Sequence, residues 1–263
     1  MDYQTITYDI VEPGIGLLRL NRPQAYNAVN RVMMRELNAF WAERVHDAGV
    51  NVIVLTGSGK GFCAGLDLKD SAEAMAGLNM QDALDYQAGL TGIIAAMRKA
   101  PQPVVAVVHG AAMGLGFSLA LAADLRVIAE NARFSAAYIN VGLGGADMAC
   151  SYLLPRMIGA GRAYEMMLTG ETLMAAEVMA LGLASRMAPR EVLLETALGL
   201  ARLMQTKNPL GIRLTKQAIN TSLNAGSLEQ AVQMENLTQV FLAAKAMLES
   251  GRTISSTLID KSA

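Results

Sequence analysis

The chain has 263 residues, of which 52% are hydrophobic and 17% charged, the latter below the roughly 25% of an average soluble domain. That balance excludes a disordered chain, which is polar and highly charged, and the length supplies a core that needs no staples, in one large domain or two small ones. With 22 Lys and Arg against 23 Asp and Glu, the net charge of -1 implies neither a nucleic-acid surface nor an anionic-membrane surface.

Thr5 to Val11 alternates, Pro13-Gly14-Ile15-Gly16 turns and Leu17-Leu18-Arg19-Leu20 returns, which predicts a hairpin ended by Asn21-Arg22-Pro23. From about Asn30, apolar Met33, Leu37, Phe40, Trp41 and Val45 recur at helical spacing. Val50 to Thr56 reads as a short buried strand and Gly57 to Gly61 as a loop. Helical patterns around 81–99 stop at Pro101 and Pro103. A strand at 104–108 follows, then a helix from about Gly116 to Ala122, a strand Leu125 to Ile128 and the stretch Ala132 to Ser135. Val104 to Ala123 carries no formal charge and is long enough to be weighed as a membrane span. Its β-branched run, then His109 and glycines at 110, 114 and 116, reads instead as a buried strand, a glycine turn and a helix start. Beyond about residue 190 only helices remain, near 191–206, 209–222 and 227–249. Asn208-Pro209 and the capping-box pattern Ser227-x-x-Gln230 mark two of their starts. Strands alternating with helices predict an α/β fold with a mostly parallel sheet.

Cys63 and Cys150 make no disulfide framework, and Met1-Asp2-Tyr3-Gln4 lacks the basic and apolar regions of a secretion signal. A reducing, cytoplasmic setting is expected. Low charge with high apolarity points to apolar surface covered between subunits. The 17 Met add adaptable apolar lining.

Several signatures fail on inspection. In Gly57-Ser58-Gly59-Lys60-Gly61 a Gly follows the Lys where a phosphate loop needs Ser or Thr. Gly59-x-Gly61-x-x-Ala64 lacks the acidic residue that a dinucleotide site carries after its second strand. Gly116-Phe117-Ser118-Leu119-Ala120 approaches a nucleophile elbow, but both histidines, His46 and His109, precede the Ser. Two separated His and two separated Cys make no standard zinc site. Two glycine-rich strand-to-helix turns survive, Gly61-Phe62-Cys63-Ala64-Gly65-Leu66-Asp67-Leu68 and His109-Gly110-Ala111-Ala112-Met113-Gly114-Leu115-Gly116-Phe117. Each either lets a helix pack closely on a strand or directs backbone N–H groups at one point, where a pair of them holds a developing oxyanion.

Together, and at this separation, the two turns resemble those of the crotonase superfamily, the enoyl-CoA hydratase/isomerase group. Leu20-Asn21-Arg22-Pro23-Gln24-Ala25-Tyr26-Asn27-Ala28 looks like its N-terminal signature. Leu119 to Arg126, Leu153-Leu154-Pro155-Arg156-Met157-Ile158-Gly159, Leu168-Thr169-Gly170, Ala176-Glu177 and Gly182-Leu183-Ala184 continue the likeness. It covers about residues 3–220, while past about 245 the match is poor, with Leu258 where a Phe is usual.

The resemblance implies a spiral of ββα units over 1–195 that holds a CoA-thioester site, and a helical region over 196–263 that builds a homotrimer or hexamer. It implies an acyl-CoA substrate, with coenzyme A entering as part of that substrate and no metal or redox cofactor. By position, the backbone N–H groups of Ala64 and Leu115 are the oxyanion donors. The coenzyme arm is expected along Ala25, Asn27, Ala64, Asp67 and Leu68, largely through backbone groups, with Gly114 also at the substrate and Lys261 meeting a CoA phosphate.

The acid/base groups depart from the family pattern. Hydratases of the family carry two glutamates, and here Ser118 and Tyr138 stand at those positions. A neutral hydroxyl or phenol is a poor base, although Tyr138 stays a catalytic candidate by position. Asp147, after Gly144-Gly145, resembles the active-site Asp of a branch that includes the 4-chlorobenzoyl-CoA dehalogenases. Those enzymes also use a His on the preceding helical stretch, and 81–100 contains none. Asp147 therefore reads either as the acid/base group or as the N-cap of the following apolar helix. Glu73, Asp82 and Asp85 read as solvated helix charges. The expected activity is enoyl-CoA hydratase/isomerase chemistry, with a thioester enolate held by backbone donors and one carboxylate moving the proton. The alternatives are a CoA-thioester or carbon–carbon hydrolase on the same scaffold, or a non-catalytic acyl-CoA binder.

Overall fold

A computed structural model describes residues 3–44 and 46–250; Val45 and Lys261 therefore lie outside the described residues. The chain divides into two compact units, the first ending at Gln205.

The first unit opens with the expected hairpin, β1 (Ile6–Glu12) antiparallel to β2 (Ile15–Leu20). Helix α1 (Arg31–Arg44) buries Met33, Leu37, Phe40 and Trp41, the stripe its spacing predicts. Next come β3 (Val52–Gly57), α2 (Leu68–Met75), α3 (Met80–Lys99), β4 (Val104–Val108), β5 (Ala111–Met113), α4 (Leu115–Ala122), β6 (Leu125–Ala129) and β7 (Arg133–Ser135). The unit continues with α5 (Cys150–Ile158), α6 (Ala160–Thr169), β8 (Thr172–Met174), α7 (Ala175–Ala180), β9 (Arg186–Ala188) and α8 (Leu193–Gln205). The uncharged run 104–123 is thus strand, turn and helix, and among the described residues no helix is long and apolar enough to cross a membrane.

Six strands form one sheet in the order β1-β2-β3-β4-β6-β9, parallel from β2 onward. Every residue of β3 and β4 is buried, because both faces of the sheet are covered. Ile53, Leu55, Ala106 and Ile128 face the core under α1, α3 and α4. Their neighbours Val52, Val54, Val105 and Val127 face the other way, against Leu193, Ala197 and Ala201 of α8. Covering that second face ties α8 to the sheet, so the first unit runs to Gln205 and not to 195.

A smaller sheet, β5-β7-β8, lies beside the large one in the chain path. After β3 the chain pairs Cys63 with Ala112 of β5, and β5 pairs in parallel with β7. Each long strand is therefore followed by a short one that stacks on the previous turn, which is the repeating spiral. Between two turns Gly116 of α4 lies against the Cys63 backbone, and a Cβ there would overlap the Cys63 carbonyl oxygen.

The second unit holds α9 (Pro209–Ser222) and α10 (Leu228–Ser250), packed on each other. Asn208 caps α9 by accepting from the Gly211 N–H at 3.1 Å. No residue of α10 is buried within the chain, and Leu228, Leu237, Val240, Phe241 and Leu248 are exposed.

Candidate active site

The two glycine turns, α2, the middle of α3 and the segment before α5 enclose a cavity of about 440 Å³. Most of its wall is apolar, from Leu66, Leu68, Ala72, Met75, Leu90, Val141, Leu143 and Met148. Ala64, Gly114, Leu115, Tyr138 and Asp147 of the expected site also line it, and Asp147 is the only carboxylate among the described residues that does.

The first turn is held as an extended run. Cys63 N–H donates to the Ala111 carbonyl at 2.9 Å, Val29 N–H to Gly65 O at 2.8 Å and Asp67 N–H to Val29 O at 2.9 Å. Within that run the Ala64 N–H donates to Tyr26 O at 2.9 Å. Ala64 is therefore not the free donor that the resemblance implied. The Leu66 N–H, past the turn that Gly65 makes at φ +103°, has no partner among the described residues. Neither has the Leu115 N–H, which opens α4 after Gly114 at φ +50°. Gly65 brings the two together: its φ is +103°, and a Cβ there would lie 3.6 Å from Leu115 N. The left-handed Tyr26, at φ +49°, turns the carbonyl that claims Ala64, a detail that no spacing rule carries.

Asn27 departs from its expected role as a coenzyme contact. It is fully buried, and its Nδ2 donates to Ser58 O at 2.8 Å and Gly61 O at 2.9 Å while Oδ1 accepts from Arg22 N at 2.9 Å. It is a clamp on the loop after β3. Asp67 lies outside the cavity lining; it caps α2 through the Asp70 N–H and pairs with Arg22 Nη2 at 3.0 Å. Ala25 ends a short 3₁₀ turn, also outside the lining. Leu68 and Ala64 are exposed on the cavity wall.

Ser118 and Tyr138 bond to each other, Oγ to Oη at 2.7 Å, with Ser118 fully buried. Burial pushes the Tyr138 phenol above its ordinary pKa, so it stays neutral and serves as no base. Burial likewise pushes the free thiols of Cys63 and Cys150 up to about 12. His109 is driven the other way, down to about 4, first by burial and then by the Arg190 charge.

Asp147 stands on strained backbone, for Met148 and Ala149 after it have φ of +46° and +60°. Helix α5 starts only at Cys150 and has no side-chain cap, so Asp147 is not the N-cap that one reading expected. Its Oδ1 accepts from Gln87 Nε2 at 2.8 Å and from the Met148 N–H at 2.7 Å. Gln87 was not legible as a site residue, because it follows Asp82 and Asp85 on what reads as a solvated face. Those two acids, with Glu73, are exposed as expected.

The enoyl-CoA hydratase/isomerase family model matches residues 11–254. A probable enoyl-CoA hydratase of Mycobacterium leprae is 39% identical over 250 residues, covering 92% of this chain and 85% of its own. The crystal structure of a probable enoyl-CoA hydratase/isomerase from Mycobacterium abscessus superposes with a TM-score of 0.84 at 36% identity, over 95% of this chain and 97% of that one. That of a monofunctional enoyl CoA isomerase from M. smegmatis does so with a TM-score of 0.74 at 39% identity, over 87% and 98%.

Proposed function

The chain belongs to the enoyl-CoA hydratase/isomerase family, and we propose that within this family it shifts a double bond of an acyl-CoA thioester rather than adding water across one. The observation that carries this reading is the single carboxylate. Asp147 alone among the described acids lines the cavity, and Ser118 and Tyr138 form a neutral pair.

The thioester carbonyl accepts from the Leu66 and Leu115 N–H groups, the latter at a helix start where the backbone dipole favours negative charge. Asp147 removes the α-proton of a β,γ-unsaturated acyl-CoA. The electron pair moves onto the thioester oxygen as an enolate, and the same carboxyl returns the proton to the γ-carbon as the pair flows back. One base suffices for this shift, whereas water addition needs a second group to hold the water. The coenzyme A arm enters past Ala64 and Leu68, and no further cofactor takes part.

Incubation with a β,γ-unsaturated hexenoyl-CoA and, separately, with crotonyl-CoA tests the reading. The conjugated-thioester absorbance is expected to rise with the first faster than it falls with the second. Asp147→Asn is expected to lower the first rate by roughly 10²–10⁴, the usual worth of a general acid–base group. Faster hydration, release of free CoA, or no turnover would each overturn it, in favour of a hydratase, a hydrolase or a binder.

We further propose a cytoplasmic homotrimer or hexamer. Support comes from the uncovered apolar residues of α10, since soluble monomers rarely expose such patches, and from the two unpaired cysteines. A sedimentation experiment showing only monomer at micromolar concentration would refute the assembly.

A further inference from the structure

We propose that Gln87 is a positioning residue for Asp147, fixing which carboxylate oxygen receives the proton; the inference rests on Asp147 being the base. The two donors, Gln87 Nε2 and the Met148 N–H, both meet Oδ1. Oδ2 has no partner among the described residues and is the oxygen left to take the substrate proton. A carboxylate held only by its neighbouring backbone rotates about its last torsion, whose wells are broad. The Gln87 amide removes that freedom, and as a neutral group it does so at any working pH.

Gln87 is itself held on a rigid element. It sits one turn before Leu90, which with Ile93, Ile94 and Met97 anchors α3 in the core. Asn38 of α1 donates to Gly89 O at 2.8 Å, and Gly89 lies against the Met34 sulfur, so the helix is pinned within two residues of Gln87. Such second contacts hold a reacting group to the fraction of an ångström that catalysis requires. The apolar wall contributed by α3 and the orientation of the base thus share one element.

A positioning role leaves a signature that mere wall packing lacks, a fall in kcat with little change in KM. The other ionisable groups around Asp147 are Tyr138 and Cys150, which feel its charge, and Tyr86, which lines the cavity from α3. Burial keeps Tyr138 and Cys150 neutral. Asp82 and Asp85 of α3 are exposed and outside the lining.

The test is the measurement of kcat and KM on a β,γ-unsaturated hexenoyl-CoA for wild type, Gln87→Met, Gln87→Glu and Asp147→Asn. Gln87→Met is expected to lower kcat about tenfold, with KM changing much less. Gln87→Glu is nearly isosteric and secures the test against misfolding; it loses the amide donor to Oδ1 and is expected to lower kcat at least as far. Combining Gln87→Met with Asp147→Asn should cost no more than Asp147→Asn alone. If Asp147→Asn is inactive while both Gln87 variants keep the wild-type kcat, the positioning role is overturned and the base stands. If Asp147→Asn stays active, the base assignment fails and the positioning role falls with it.

Discussion

Gly65→Ala separates catalysis from folding at the junction of the two turns. Gly65 has φ +103°, a region that L-residues rarely enter, and the new Cβ would lie 2.8 Å from the Met113 carbonyl oxygen and 3.6 Å from Leu115 N. Backbone strain of this kind costs about 1–3 kcal/mol, and forcing a methyl against backbone adds about 1–3 kcal/mol. A stability loss of about 2–6 kcal/mol is therefore expected in urea denaturation. Relief of the contact moves the Leu66 and Leu115 amides apart, and loss of one oxyanion donor is worth roughly 10²–10³ in kcat. The control is Gly14→Ala, in the turn between β1 and β2. Gly14 has φ +77° and meets chiefly the side-chain ends of Gln205 and Asn51. It carries comparable backbone strain far from the cavity lining, so it is expected to lose stability and keep kcat. If folded Gly65→Ala turns over β,γ-unsaturated hexenoyl-CoA at the wild-type rate, the two amides do not hold the carbonyl.

Asn27→Ala is expected to lose about 2–4 kcal/mol in urea, because the buried carbonyls of Gly61 and Phe62 and the half-buried one of Ser58 lose their donor; a variant of normal stability with only KM raised would restore Asn27 as a coenzyme contact. His109 makes the fold acid-sensitive: the unfolded chain takes up its proton near 6.5 and the folded one only near 4, so stability falls as pH drops through that window. At about 1.36 kcal/mol per unit, and discounted for screening, the loss is on the order of 2 kcal/mol. Urea midpoints at about pH 7 and about pH 4.5 should converge for His109→Gln relative to wild type, and equal slopes for the two proteins would refute the account.

What was legible in the sequence had local causes. Doubly buried β3 and β4 show as continuous β-branched runs, and the bounds of α4 and α9 follow from Gly114 and from Asn208-Pro209. The short strands β5, β7 and β8 were not legible as such, because three-residue strands owe their existence to pairing rather than to pattern. The reach of α8 was missed because Leu193, Ala197 and Ala201 announce a helix without saying which sheet face it covers. At the site, the turn sequences pointed to backbone donors in the right loops. Choosing Leu66 over Ala64 requires knowing where the Tyr26 carbonyl lands, and Gln87 requires knowing that α3 passes Asp147.

The backbone beside Asp147 offers a last test of whether its geometry serves the reaction. Met148 and Ala149 are consecutive left-handed residues, a conformation that costs an L-residue about 1–2 kcal/mol. The surroundings enforce it: Met148 and Cys150 are buried, the Cys150 N–H donates to Asp147 O at 2.8 Å, and Gly145 is pressed against the Met167 backbone. Ala149 itself is exposed, so Ala149→Gly removes one methyl and no packing. It relieves about 1–2 kcal/mol of strain and gives back about 0.4–1 kcal/mol in unfolded-chain entropy. The variant is expected to be more stable by about 0.5–1 kcal/mol, seen as a higher urea midpoint. The same freedom lets the segment that orients Asp147 relax, and kcat is expected to fall several-fold, a trade of activity for stability. A variant that gains stability and keeps its full kcat would show that the strain has no part in aiming the carboxylate. A variant that loses stability would show that the segment is not strained at all.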